Sequence, residues 1–219
     1  MEHLINIHTH HPTAAVGVLE IQSVRFGEIP EPDASYYSVG LHPWYLEGIS
    51  RENVLIWLRE QAARPEVLAI GEAGLDKLTG AAWDVQIQAF EWCIEVSEEV
   101  GRPLVVHCVR AYEEVLAVKK RLKPKQTWMI HGFRKNLSVA KRLLDAGCVL
   151  SYGAALLQAQ DALQEAFIHT PDNAFFLETD DQDVDIRAVY AAAAEIRQIS
   201  VEKMEQMVWE NFQRVFVGR

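Results

Sequence analysis

Short runs rich in Ile, Val, Leu and Tyr alternate along the chain with longer stretches in which apolar residues return every three or four positions. The first pattern reads as buried strand and the second as helix with one apolar face. Strands are predicted at residues 4–8, 16–24, 36–41, 67–71, 104–107, 127–131, 148–152 and 174–178, and helices at 51–63, 83–100, 111–122, 137–146, 185–196 and 201–216. Ser200 is a suitable N-cap, and Gly101 and Gly147 stand where a left-handed residue ends a helix. Eight strands interleaved with helices predict an α/β fold, a TIM-type (β/α)8 barrel. Two links break the pattern: 11–15 is too short for a helix, and 25–35, with Gly27, Pro30 and Pro32, reads as loop. The expectation is a compact barrel with one or two early helices missing, a single domain over residues 1–219. Parallel neighbours normally need a dozen or more connecting residues, so the strand at 16–24 strains the pattern. An edge left open there would suit a partner subunit in a homo-oligomer.

Composition narrows the function classes. Hydrophobic residues make up 49% and charged residues 24% of 219, an ordinary globular balance that supports one sizeable core. No leader pattern and no bilayer-length apolar run is present, so a cytoplasmic protein without membrane contact is expected. Cys93, Cys108 and Cys148 are odd in number and widely spaced, which fits buried thiols better than a disulfide frame. A formal charge of −10 opposes non-specific nucleic-acid binding over a broad basic face. It leaves a phosphodiester substrate open, because bound cations would reverse the local field in a carboxylate-lined pocket.

The positions of the histidines and acids carry the chemistry. In a parallel barrel the strands share one C-terminal rim, where functional side chains gather. His8 and His10 end the first strand, Glu72 follows the fourth, His107 ends the fifth, His131 ends the sixth, and Asp180 lies just past the eighth. A spacing of two in extended chain turns the imidazoles of His8 and His10 to one side. Four imidazoles with two carboxylates are consistent with a site for two divalent ions, whether Mg, Mn or Zn. His42 falls on the same rim, as a substrate-phosphate contact or a structural hydrogen bond. Arg110 and Arg134 follow strands five and six and are either phosphate clamps or solvated surface arginines, and Lys77 is a further candidate of that kind. Asp76 is placed to fix its loop or orient a ligand histidine. His3, His11 and His169 lack such support, and the apolar spacing of Met204, Met207, Val208 and Phe212 suits a helix packed on the barrel.

Asn6-Ile7-His8-Thr9-His10, Gly40-Leu41-His42-Pro43, Ile70-Gly71-Glu72-Ala73-Gly74-Leu75-Asp76, His107, His131-Gly132-Phe133 and Glu178-Thr179-Asp180 occur in an order that resembles the TatD-family metal-dependent hydrolases. The surroundings of Gln86 and Phe90, and Asn211-Phe212, are similar too, so the likeness spans nearly the whole chain. The resemblance implies that His8, His10 and Asp180 hold one ion, that His107 and His131 hold a second, and that Glu72 bridges them. It implies a hydroxide shared between the ions as nucleophile, with Asp180 orienting it and taking its proton. The implied activity is a deoxyribonuclease acting on strand ends or short DNA. The chain departs from the family at Asn6, where Asp is common two residues before the first ligand histidine. It departs again at Val109, where an arginine often stands and Arg110 comes one residue later. The acidic run Asp181-Gln182-Asp183-Val184-Asp185 would repel an extended polynucleotide. Two other readings use the same residues: a metal-dependent amide, ester or lactone hydrolase, and a non-catalytic metal-binding protein.

Overall fold

A computed structural model describes residues 4–30, 34–158 and 161–218. The elements run β1 Leu4–Thr9, β2 Val18–Arg25, β3 Tyr36–Gly40, α1 Arg51–Ala62, β4 Val67–Asp76, α2 Trp83–Val100, β5 Leu104–Val109, α3 Tyr112–Leu122, β6 Trp128–Ile130, α4 Leu137–Asp145 and β7 Cys148–Tyr152. A 3-10 turn at Ala154–Leu157 follows, then α5 Asp161–Ile168, β8 Phe175–Leu177, α6 Ile186–Arg197 and α7 Val201–Phe212, which widens into a π-turn at Gln213–Val217. The eight strands form one parallel sheet in chain order. It curls until β1 and β8 meet at a single bridge, Thr9 to Asp180, so the TIM-type barrel is nearly closed.

Both early links lack a helix among the described residues. Between Thr9 and Val18 the chain returns along a strand about 20 Å long, and its intervening residues span at most roughly 28 Å when extended. That length reaches the start of β2 and leaves nothing to coil. The outer flank of β1 is covered instead from the far end of the sequence, where α7 packs on β1 and β8. Met204, Met207, Val208 and Phe212 are all buried there, which is the core-packing role their spacing predicts. Asn211 fastens the same helix by donating to the carbonyls of Asp172 (2.8 Å) and Phe175 (2.9 Å). The Cys93, Cys108 and Cys148 thiols are buried, and burial pushes them up to about 12, 12 and 11, so they stay protonated.

Several boundaries differ from the sequence pattern. Helix α5 is absent from it, because two turns bury only Leu163, Ala166 and Phe167. The second strand begins at Val18, since Gly17 (φ +79°) turns the chain just before it. The last α-helix stops at Phe212 rather than Phe216. The largest change is in β4, which continues to Asp76, so Glu72 lies inside the strand rather than after it.

Candidate metal centre

The β4–β5 pairing shifts between Ile70 and Ala73, and such a bulge re-aims the side chains beside it. A Cβ on Gly71 would stand 2.4 Å from the Val105 carbonyl, and one on Gly40 would stand 2.5 Å from Gly71. Only glycines let three backbones come this close. The bulge turns the buried Glu72 inward, across the mouth of the barrel. Below it, Gln86 pins the strand end to α2: it accepts from Asp76 N (2.9 Å) and donates to the Asp76 carbonyl (3.1 Å).

The two oxygens of Glu72 face different imidazoles. Oε2 lies 3.4 Å from His8 Nε2 and 3.3 Å from His10 Nε2, and both nitrogens also approach Asp180 Oδ1, at 3.6 and 3.7 Å. Oε1 lies 2.6 Å from His107 Nδ1, 2.8 Å from His131 Nε2 and 3.3 Å from His42 Nε2. His107 Nδ1 and His131 Nε2 stand only 3.2 Å apart. Lone pairs that converge this tightly need protons or a cation between them. Neither ring nitrogen of the fully buried His8 has a hydrogen-bond partner, and His131 Nδ1 also lacks one. Buried, unpaired imidazole nitrogens facing carboxylates are the donor set of a divalent-metal site, and the residues present fit such ions.

The electrostatics of the site's own side chains point the same way. Burial and His131 push His8 down, but Asp180 and Glu72 outweigh them and raise it to about 9. Burial likewise lowers His131, yet the Glu72, Glu178 and Asp180 carboxylates hold it well above the ordinary histidine value. Glu72 would be raised by burial, and the surrounding histidines keep it far below the usual carboxylate range. Asp180 is also lowered against its burial, by His8 and His131. The pocket therefore holds positive charge, as protons where no ion is bound.

The seam between β1 and β8 sets Asp180. Its N–H donates to the His8 carbonyl and its carbonyl accepts from His10 N, both at 3.0 Å, and its φ of +56° is one that aspartate tolerates better than most residues. Asn6 makes no hydrogen bond to His8. A shift in the β1–β2 register between Asn6 and Thr9 directs it to Thr179, from whose N–H it accepts (3.0 Å) and to whose hydroxyl it donates (2.9 Å). The neighbouring carboxylate on that side is Glu20, 3.5 Å from Asn6 Nδ2. Asp76 meets His107 Nε2 at 3.3 Å and accepts from Trp44 Nε1 (2.6 Å) and Leu78 N (2.7 Å). Accepting a hydrogen bond from Nε2–H, Asp76 would leave the Nδ1 lone pair of His107 for an ion.

A cavity of about 430 Å³ opens over this cluster and is walled in part by His10, His42, Glu72, His107, His131, Arg134 and Asp180. Burial holds His42 below the ordinary histidine value, with His107 and His131 adding to it against Glu72. Its Nδ1 accepts from Trp44 N at 3.2 Å, so the neutral ring carries its proton on Nε2 and offers a donor to the cavity. Arg110 and Lys77 are not on the cavity wall; Lys77 pairs with Glu114 at 2.5 Å instead. His11 is on the wall, whereas His169 bonds the Glu165 carbonyl at the surface and His3 lies outside the described residues. The sequence pattern missed Ser23, whose hydroxyl is 3.4 Å from Glu72 Oε2, together with Arg25 and Tyr45 on the cavity wall. It also missed Glu178, which accepts from Gly132 N (2.5 Å) and faces His131 Nδ1 at 3.8 Å. Glu178 precedes Thr179-Asp180 as a buried acid at a strand end, a signal open to sequence reading. Ser23 and Arg25 carry none until the β2 face is known.

The model of a family described as "TatD related DNase" matches residues 12–217. A Haemophilus influenzae protein described as an uncharacterized metal-dependent hydrolase is 27% identical over 207 residues, covering 84% of this chain and 78% of its own length. A Mycobacterium tuberculosis protein, described as an uncharacterized metal-dependent hydrolase TatD, is 32% identical over 152 residues, 66% of this chain and 57% of its own length. Among solved structures, the TatD homolog YjjV from Escherichia coli superposes with a TM-score of 0.85 over 97% of both chains at 21% identity. That likeness is one of fold.

Proposed function

The chain belongs to the TatD-related DNase family of metal-dependent hydrolases, and on that premise we propose that it is a phosphodiesterase that cleaves short DNA or the ends of DNA strands. The observation that carries the two-ion form of this reading is the divided carboxylate of Glu72, each oxygen turned to its own set of imidazoles. His8, His10 and Asp180 would hold one cation, His107 and His131 the other, and Glu72 both; the ligand types suit Mg, Mn or Zn. Bound divalent cations supply Lewis acidity, lowering the pKa of water and offsetting charge on the attacked phosphorus and the leaving oxygen.

The protein's own groups do the rest. Asp180 reaches into the cavity as an ionised carboxylate, placed to accept the proton of the attacking water. His42 donates from Nε2 to a non-bridging phosphate oxygen, and Arg134 adds charge from the wall of the cavity. Asp76 fixes the ring of His107. A cavity of about 430 Å³ is within the size range of small-ligand sites, which favours a strand end or a short oligonucleotide as substrate.

Metal-loaded protein offered single-stranded oligodeoxynucleotides, with esters, amides and lactones in parallel, tests the proposal. Metal-dependent shortening of the DNA is expected, with a loss of about a thousandfold in Glu72→Gln. Turnover of the carbonyl compounds with the DNA left intact would assign the site to the other bond.

A further inference from the structure

On the phosphodiesterase reading, we propose that Arg25 binds a terminal phosphate one unit away from the scissile bond, making a charged end part of what the site recognises. The β2–β3 pairing is regular from Ile21–Tyr36 to Arg25–Gly40, so Arg25 projects to the same face as Ser23, two residues before it. Ser23 reaches Glu72 at 3.4 Å. Arg25 therefore stands about 7 Å further along β2 than Ser23, two strand residues on, and its side chain lines the same cavity.

The guanidinium is fixed before any ligand arrives. It lies over the Tyr45 ring with its central carbon 3.8 Å from the centroid, and Tyr45 is tied to the His42 turn by its N–H to the His42 carbonyl at 3.1 Å. Glu28 folds back on the same residue: Oε1 is 2.6 Å from Arg25 Nε, and Oε2 accepts from Arg25 N at 3.1 Å. The carboxylate braces the arginine through both oxygens, and the terminal edge of the guanidinium is the part turned to a ligand. A planar fork held in place loses little freedom on binding and matches phosphate oxygens in pairs. Asp181 and Gln182, past β8 where it meets β1, line the same cavity, and the acidic run that begins there would repel a strand continuing in that direction.

The test uses metal-loaded protein and dinucleotides that carry a phosphate on the 5′ end, on the 3′ end or on neither, with kcat/KM measured for each. The same three ends on dinucleotides with methylenes in place of the bridging oxygens, which resist cleavage, give affinities that do not depend on turnover. Wild type is expected to prefer one of the phosphorylated ends by about tenfold or more, as for a charge-assisted contact. That preference should collapse toward unity in Arg25→Met and be partly kept in Arg25→Lys. A preference in binding that Arg25→Met abolishes, without cleavage of any dinucleotide, supports the Arg25 site and removes the phosphodiesterase reading. Equal treatment of all three ends by wild type, or a preference that survives in Arg25→Met, overturns the inference.

Discussion

At the residue scale, the neighbours of Asn6 favour an amide over a carboxylate at this position. Asn6 gives one hydrogen bond to Thr179 and takes another, and its amide nitrogen is the group that faces Glu20. Glu20 is itself buried and committed to the N–H groups of Thr13 (2.7 Å) and Ala14 (3.0 Å). Asn6→Asp would set two buried carboxylates against each other and remove the donor to the Thr179 hydroxyl. The expected cost is about 2 kcal/mol of stability at neutral pH, read as a lower urea midpoint with an unchanged slope, and it should shrink as pH falls toward 4 and one of the carboxyls protonates. A variant as stable as the parent would show that the amide at this position is incidental. Because Asn6 holds Thr179 next to Asp180, metal affinity should fall as well, without any ligand having changed.

At the scale of elements, the β4 bulge is the device that turns a strand residue into the centre of the site. Gly40 on β3 makes room for it, so a methyl added there collides with backbone rather than with a movable side chain. Gly40→Ala should cost about 1–3 kcal/mol from overpacking and weaken metal binding by displacing Glu72, both measurable by thermal melts with and without added metal. Retained affinity in a destabilised variant would mean that Glu72 is held by its histidines alone. The same bulge marks how far the sequence could be read. His8, His107 and His131 are legible because each follows a β-patterned run, and strand ends in a parallel barrel share a rim. Glu72 was found by that rule with the strand drawn too short, since a register shift set by three approaching backbones leaves no periodic trace. Arg25 was invisible for another reason. It ends the strand whose link is too brief for a crossover helix, and its meaning depends on Ser23 facing inward and on Tyr45 arriving from a different loop. Helix α5 escaped because eight residues with three buried positions do not make a recognisable period.

At the scale of the molecule, ions and protons compete for one set of donors, so stability, metal content and pH are linked. In the metal-free protein the raised pKa of His8 contributes stability that is complete below its ordinary value of 6.5 and is lost as pH rises through about 9. Glu72 and Asp180 act in the opposite sense. Their lowered pKa values contribute stability above the ordinary carboxylate values of 4.5 and 3.8 and lose it as pH falls below them. The chelated protein should thus be most stable near pH 5–6 and weaken on either side. Cations replace the protons, so they add least where the histidines are already charged and most where they are neutral. At a hundredfold excess of metal over its dissociation constant, the gain is about 2.7 kcal/mol, or roughly 5–10 °C in Tm for a chain of this size. Melting curves with metal and with chelator at pH 6 and pH 9 should show the gap between them widening toward the higher pH. A gap that stays constant or narrows would mean that the buried imidazoles are not where the ions bind.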